Sequence, residues 1–593
     1  MGDTPARVGA AVAAGAALDR VFETFYRQRP VTATFTGLHQ HDGVLPDWSA
    51  AALGAQTDEL RALRRELEGA GRVSDADVRT FPDDVDLALA DAALEIALAE
   101  HESGHFVHRN PSLWTGEAIF GVLSLVTRDF APLAQRLVNA EARLAAIPAF
   151  LAQASQTMVL APLDWKIKAR QDCEAAGPLF AETLPAWVRE ETAQGRAPGI
   201  DAERWAGAAV TASKAFAAFA TWLAVPDLAS AGIATSWFGR DKPKGLGDIG
   251  ATGEFASQRL LELLVRRGHW VTTPLPTLLE EAQTALAEAR ATLETMAAPH
   301  GGWPAVQEQL AEQRPSPPQY LARFQEKWDA CRAAAEAHDL VTWPDAPLRY
   351  VPFPAHTRDA APKLYYLHYR SPAPFDPFGT FDYVVAPLDG LTGEEVTARL
   401  RQWNDSVITL NHVVHHGAIG HHVQNHHAYR GASRIGRVAA VDAACRLSMF
   451  LGGSLAEGWA CYVCDLMEEI GFLTPLEAIA QQHTRVRIAA RAVADLRLHT
   501  GRASIPSVTW HYEDQAFMSR AAARGEAIRN SMYPGAAVMY WLGTREIHRL
   551  RAEIRRREGA AFSMRRFHDR FLSYGAIPVA LISQLMLAEE PSR

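Results

Sequence analysis

The 593-residue chain is poor in cysteine and lysine, has no long uninterrupted apolar run and carries little net charge, and each scarcity removes a class of protein. Five cysteines (Cys173, Cys331, Cys445, Cys461 and Cys464) do not make a disulfide framework in such a length, and the odd count leaves a thiol unpaired within the chain. A reducing compartment, and with it a cytoplasmic location, is the expectation. No apolar run approaches the roughly 20 residues that span a bilayer, so no membrane partner is expected. The opening Gly9–Ala17 stretch is apolar but short, and it continues through Asp19 and Arg20 into Val21, Phe22, Phe25 and Tyr26 at helical spacing. It reads as the first helix rather than as a signal peptide. A net charge of −9, with no basic cluster interleaved with aromatics, gives no support to a nucleic-acid groove.

What remains is ordinary globular composition, 48% apolar and 21% charged, with enough chain to bury a large core. Apolar residues recur at three- and four-residue spacing through Ala51–Leu67, Val85–His101, Pro132–Leu151, Glu203–Leu223 and Leu275–Ala297, which predicts long packed helices. Breakers such as Pro111, Pro162, Pro243 and Gly301-Gly302 mark short connections between them. Between Pro344 and Pro387 the texture changes. Leu348–Val351, Lys363–Leu367 and Thr380–Val385 are aromatic and β-branched, and predict a small strand element. The expectation is a mainly α fold with a small β element, an N-terminal helical half over residues 1–340 and a C-terminal metal-binding half over 341–593, the two forming one composite domain.

The metal expectation rests on histidine. Residues 412–427 hold seven of the 22 histidines, at 412, 415, 416, 421, 422, 426 and 427, where an even spread predicts fewer than one. Imidazole is the commonest transition-metal ligand, so the density favours a metal site over a solvated polar helix face. On an ideal helix His412 and His416, or His422 and His426, face one way, whereas His415 and His421 diverge by about 120°. Gly417 and Gly420 bracket a point where a bulge or break would remove that divergence, and spacing leaves the pairing open. Downstream, Glu457, Cys461 and Cys464 share one broad helix face. A lone CxxC without a second pair does not make a structural zinc site, and buried small hydrophobes explain the two cysteines.

The strings His415-His416-Gly417-Ala418-Ile419-Gly420-His421-His422-Val423-Gln424 and Glu457-Gly458-Trp459-Ala460-Cys461-Tyr462 resemble H-E-A-x-P-G-H-H-L-Q and E-G-W-A-L-Y of the bacterial domain-of-unknown-function family eight-eight-five. Those helical proteins are regarded as zinc-peptidase-like, or gluzincin-like. Further similar stretches are Arg491–His499, Tyr533–Gly543, Phe567–Asp569 and Gly575–Pro578. The resemblance implies a large multi-helix metallopeptidase-like fold. It implies one divalent ion, zinc first and iron or manganese next, held by His415, His421 and Glu457. His499 and Tyr540 become candidates to orient a substrate or stabilise an oxyanion.

Where the family has Glu as general base, this chain has His416. Ile419, Cys464, Ala536 and Arg497 replace the family's Pro, second Glu, Gln and Gly. Three readings of His416 compete: a substitute base in a metal-dependent hydrolase of amidase or peptidase type, an added ligand that turns the site to non-peptidase chemistry (lyase, decarboxylase or oxygen-dependent), or the mark of an inactive metal- or partner-binding scaffold. Arg497 near His499 predicts a small carboxylated or short peptide-like substrate, with Asp495 and His422 as further substrate contacts. An ion-pair network of Asp495, Arg491 and Arg497 is the structural alternative.

Overall fold

Each of the five Ala/Leu-rich segments forms a helix in the computed structural model: Ala50–Gly69, Asp83–Glu102, Leu133–Thr157, Ala202–Ala224 and Leu275–Ala297. The structure describes residues 4–69, 78–158, 161–224, 258–358, 360, 364, 369–370, 373–377, 379–439, 442–443, 446–447 and 449–589. The apolar stripe that predicted the first of these helices, Leu53, Leu60, Leu63 and Leu67, is the face it buries. The opening segment is a helix over Thr4–Gln28.

Helix starts follow local chemistry. The long Pro475–His499 helix opens on a capping box, in which the Thr474 side chain accepts from Glu477 N and the Glu477 carboxylate accepts from Thr474 N, with proline in the first turn. Asn404 and Ser433 cap the turns that flank the histidine segment by accepting from Val407 N and Gly436 N. Two apolar cores form, and each draws residues from both sides of residue 340: Trp114 and Leu498 share one, Val85 and Phe571 the other. Polar contacts cross the same boundary. The Trp165 indole donates to Ser531 Oγ at 2.8 Å, and the Asp86 carboxylate accepts from Ser433 Oγ at 2.6 Å and from the backbone of Arg434 and Ile435.

The β element is a three-stranded sheet of β1 (Leu348–Pro352), β2 (Tyr369–Arg370) and β3 (Phe381–Val385) in the order β1-β3-β2, with a separate two-residue pair at Asp442–Ala443 and Arg446–Leu447. Most of the Lys363–Leu367 strand prediction lies outside the described residues, as do Pro243 and Cys445. β1 and β3 run parallel with Tyr350 opposite Tyr383, and this register matters for the site. The Tyr350 hydroxyl donates to the His412 carbonyl at 3.1 Å, while the Tyr383 hydroxyl and His412 Nδ1 are 2.7 Å apart. The sheet therefore braces the histidine segment from one side.

Candidate metal centre

The histidine segment is not an ideal helix. Ile408–Gly417 is wound as a π-helix, the chain breaks through Ala418 and Gly420, and a new helix runs from His421 to Ala428. Wide winding followed by a break removes the divergence that ideal geometry gives His415 and His421. Indole donors pin the break: Trp328 Nε1 to the Gly417 carbonyl at 2.7 Å, and Trp459 Nε1 to the Ile419 carbonyl at 2.9 Å. Gly420 packs so closely on the preceding backbone that a Cβ there would overlap the His415 carbonyl oxygen and lie 2.6 Å from that of Val414.

The outcome is a cluster of His415, His416 and His421 whose ligand atoms all lie within 4.8 Å of one another, close enough for small side-chain rotations to bring them onto one ion. Glu457, carried by the Met449–Glu469 helix, places Oε2 3.3 Å from His415 Nε2 and 3.7 Å from His421 Nε2. This helix is held against Met539–Glu558 by a glycine crossing, where a Cβ on Gly543 would come within 2.8 Å of Gly458 Cα. Glu457 thus stands beside the His415 and His421 members of the cluster.

Four observations fit a metal ion there. The buried Glu457 Oε2 points at two imidazoles and meets no other polar group among the described residues. Burial raises the Glu457 carboxyl, but His415 and His421 outweigh it and hold the group well below the usual carboxylate range. Burial pushes His415 down, and pushes His416 well down with help from its two neighbours, so both stay neutral with a lone pair to give. Finally, His416 Nδ1–H donates to the Asn411 carbonyl at 2.6 Å, which directs the Nε2 lone pair away from the backbone, the arrangement that orients metal-ligating histidines. The cluster thus offers three imidazoles able to coordinate a divalent metal ion, with the Glu457 carboxylate beside two of them.

The other histidines of the segment are structural. His412 stacks on Trp403, His427 donates to the Thr342 carbonyl, and His426 lies beside Arg430. His422, expected at the substrate, is instead fully buried; it donates to the Ala346 carbonyl and meets the Phe381 ring edge-on. Asp495 and His499 are likewise 0% exposed. The Asp495 carboxylate accepts from the backbone of Gly535, Ala537 and Val538, pinning the loop that carries the Tyr-Pro-Gly motif, and His499 Nε2 donates to Asn530 O. Burial displaces both from their ordinary values, Asp495 up to about 7 and His499 down to about 4. Neither presents a surface to substrate, and the expected Asp495, Arg491 and Arg497 ion-pair network is replaced by this backbone cradle. Cys461 and Cys464 are free and buried, burial raising both thiols well above their usual value.

Arg497 is half-buried in the last turn of its helix, and a different guanidinium faces the site. Arg491 lies 4.9 Å over the Tyr540 ring, and its charge adds to the burial that lowers His415. Sequence reasoning placed Arg491 only in a structural network; its position one turn before Asp495, on the face toward the metal helix, was the available signal. Arg491 also pairs with Glu526. Burial raises the Glu526 carboxyl, but Arg491 and Arg487 bring it down to about 2. A depressed carboxyl contributes stability that is complete above its unfolded value near 4.5 and is lost as pH falls toward 2. Glu526→Gln is therefore expected to cost on the order of 3 kcal/mol at neutral pH and to flatten the decline below pH ~4.5 in urea unfolding. An equally steep decline in the variant would show that this pair is not its source.

The fold and site together define a mainly α-helical protein with a three-histidine cluster able to coordinate a metal ion. The family described as bacterial protein of unknown function (DUF885) matches residues 30–586, and the chain belongs to that family. Among solved structures it is similar to "a putative lipoprotein of unknown function" from Shewanella oneidensis, at 21% identity, with 97% of this chain and 99% of that one covered and a TM-score of 0.72. It is also similar to "the putative lipoprotein" from Colwellia psychrerythraea, at 15% identity, with 97% and 98% covered and a TM-score of 0.73. No curated protein matches. These likenesses correct two expectations. Cytoplasmic location and the exclusion of a membrane rested on composition, cysteine count and the reading of the opening helix, whereas both relatives are described as putative lipoproteins, and lipoproteins are held at membranes by lipid rather than by a spanning helix. The absence of a long apolar helix among the described residues carries no weight against such an anchor.

Proposed function

We propose that this protein is a metal-dependent enzyme whose ion is held by His415, His416 and His421 with Glu457 beside them, and that His416 serves as a ligand rather than as a general base. The observation that carries this reading is the close grouping of the His416 ligand atom with those of His415 and His421, all within 4.8 Å, while the Nδ1–H bond to the Asn411 carbonyl leaves Nε2 as the donor atom. His416 is also held neutral, which suits donation to a cation and disfavours a proton carrier. A bound ion would supply Lewis acidity. Around it, Glu457 offers an acceptor, and Arg491, held by Glu526 and resting on the Tyr540 ring, brings a positive charge that suits a carboxylated small substrate.

A hydrolase of amidase or peptidase type, with zinc on His415, His421 and Glu457, is the second reading. It is favoured by the approach of Glu457 to those two histidines, which leaves His416 outside the set. The first experiment is elemental analysis of untagged protein purified without added metal. About one iron, manganese or copper per chain supports the nitrogen-rich site, about one zinc moves the balance to the hydrolase, and no uptake after reconstitution sinks both. His421→Ala is expected to lose stoichiometric metal; full occupancy in that variant would refute the ligand set.

A further inference from the structure

Residues 545–570 hold nine arginines against four carboxylates, a net +5 within a chain of net −9. They span most of the Met539–Glu558 helix, a turn at Gly559–Ala561 and the start of the Met564–Ser573 helix. Ile547, Leu550 and Ile554 are the face that the first helix buries, which sets Arg549 and Arg556 on its opposite, convex side. Arg555, Arg557, Arg565 and Arg566 are exposed as well. Partners for these six guanidiniums are few. The Glu553 carboxylate accepts from both Arg556 and Arg557, Glu558 pairs with Arg566, and Asp339 pairs with Arg565. Arg549 and Arg555 make no ion pair among the described residues, and Arg555 lies 5.2 Å over the Phe562 ring.

We propose that this face docks on a surface of anionic phospholipid, with the exposed guanidiniums paired to headgroup phosphates. Helix electrostatics do not account for the charge. Arg555, Arg556 and Arg557 complement the negative end of their helix, but Arg549 lies mid-helix, and Arg565 and Arg566 stand in the first turn of the next helix, where a cation is disfavoured. Six guanidiniums facing three carboxylates leave an excess that a layer of phosphates would neutralise, and the planar guanidinium matches phosphate through two hydrogen bonds. The form of the face selects among anions. Residues 545–570 contain none of the exposed large apolar side chains found among the described residues. A stable protein interface is built round an apolar centre, and a single nucleic-acid strand is held on aromatic platforms. A headgroup layer is held by charge alone, and a convex ridge meets it at several points at once.

The test is cosedimentation of the full chain with vesicles of phosphatidylcholine, alone or carrying about 30% phosphatidylglycerol. The charged vesicles are expected to bind and the neutral ones not, and raising salt from about 50 to about 500 mM should release the protein. Arg549→Gln combined with Arg555→Gln disturbs no ion pair and should weaken binding about 30-fold, at roughly fivefold per arginine. Arg65→Gln combined with Arg502→Gln removes the same charge from exposed positions elsewhere and should leave binding within about threefold. On the parent protein, charged vesicles should shield Arg549 and Arg555 from phenylglyoxal while Arg65 and Arg502 still react, a readout that needs no variant. Equal binding to both kinds of vesicle, binding to neither, or equal loss in the two double variants overturns the proposal. Retention of duplex DNA or polyglutamate in place of the charged vesicles would overturn it too, by assigning the face to another polyanion.

Discussion

Gly420→Ala is expected to abolish stoichiometric metal uptake and to lower stability by more than about 3 kcal/mol, the range of severe overpacking. The added Cβ would fall on the carbonyl oxygens of His415 and Val414, which belong to rigid backbone and cannot rotate aside as a side chain can. Relief requires the break between the two histidine helices to open, and opening it separates His421 from His415. Gly525 is the matched control: a helical glycine where an added methyl would meet nothing within 4 Å, so that alanine should be neutral or slightly stabilising. Metal occupancy by elemental analysis and urea unfolding of the two variants side by side make the test. A Gly420→Ala protein that keeps its metal and its unfolding midpoint would show that the break is not what brings the ligands together.

His416 carries the other large effect. Structural zinc sites yield roughly 10–16 kcal/mol from four ligands, so deleting one should remove about 3 kcal/mol, or about 100-fold in affinity. His416→Ala is expected to show that loss in a chelator competition, whereas a residue acting only as a base would leave affinity within about threefold. His416→Glu separates the readings further, since it restores the general base of the family pattern. Appearance of amide hydrolysis in that variant, absent from the parent, would mean the remaining peptidase machinery is intact and only the base was altered. Loss of metal preference or of a parental activity without such a gain would place His416 in the ligand shell. Arg491 offers a cross-check in either case, because its guanidinium reaches His415 electrostatically.

The helical body was legible because its apolar stripes are long and regular, and a 20-residue stripe such as Ala50–Gly69 leaves few alternatives to a buried helix face. The site was legible only in part. Histidine density announced it and Gly417 and Gly420 marked the distortion, but ten residues of π-helix are specified by partners far away in sequence, namely Trp328, Tyr350, Tyr383 and Trp459. Spacing arguments assume ideal winding and have no access to such partners. Misplacement of His422, Asp495 and His499 at the substrate has a related cause. Polar side chains in a motif are read as chemistry, yet all three satisfy buried backbone groups, and the requirement that such groups be paired is as strict as any catalytic one.

The cradle that Asp86 offers to Ser433, Arg434 and Ile435 has a consequence for synthesis. Asp86 and Ile435 are 349 residues apart, and at about 5–20 residues per second the ribosome needs roughly 17–70 s to deliver the second after the first. Throughout that interval the Asp83–Glu102 helix, whose Val85, Leu89 and Leu94 belong to a core shared with the last helices of the chain, can pack on Ala50–Gly69 but leaves open the part of its face that Arg434–Val438 and Met449–Glu469 cover. Neither end of this protein can finish folding first. The nascent chain must keep that unfinished apolar surface from self-association for tens of seconds.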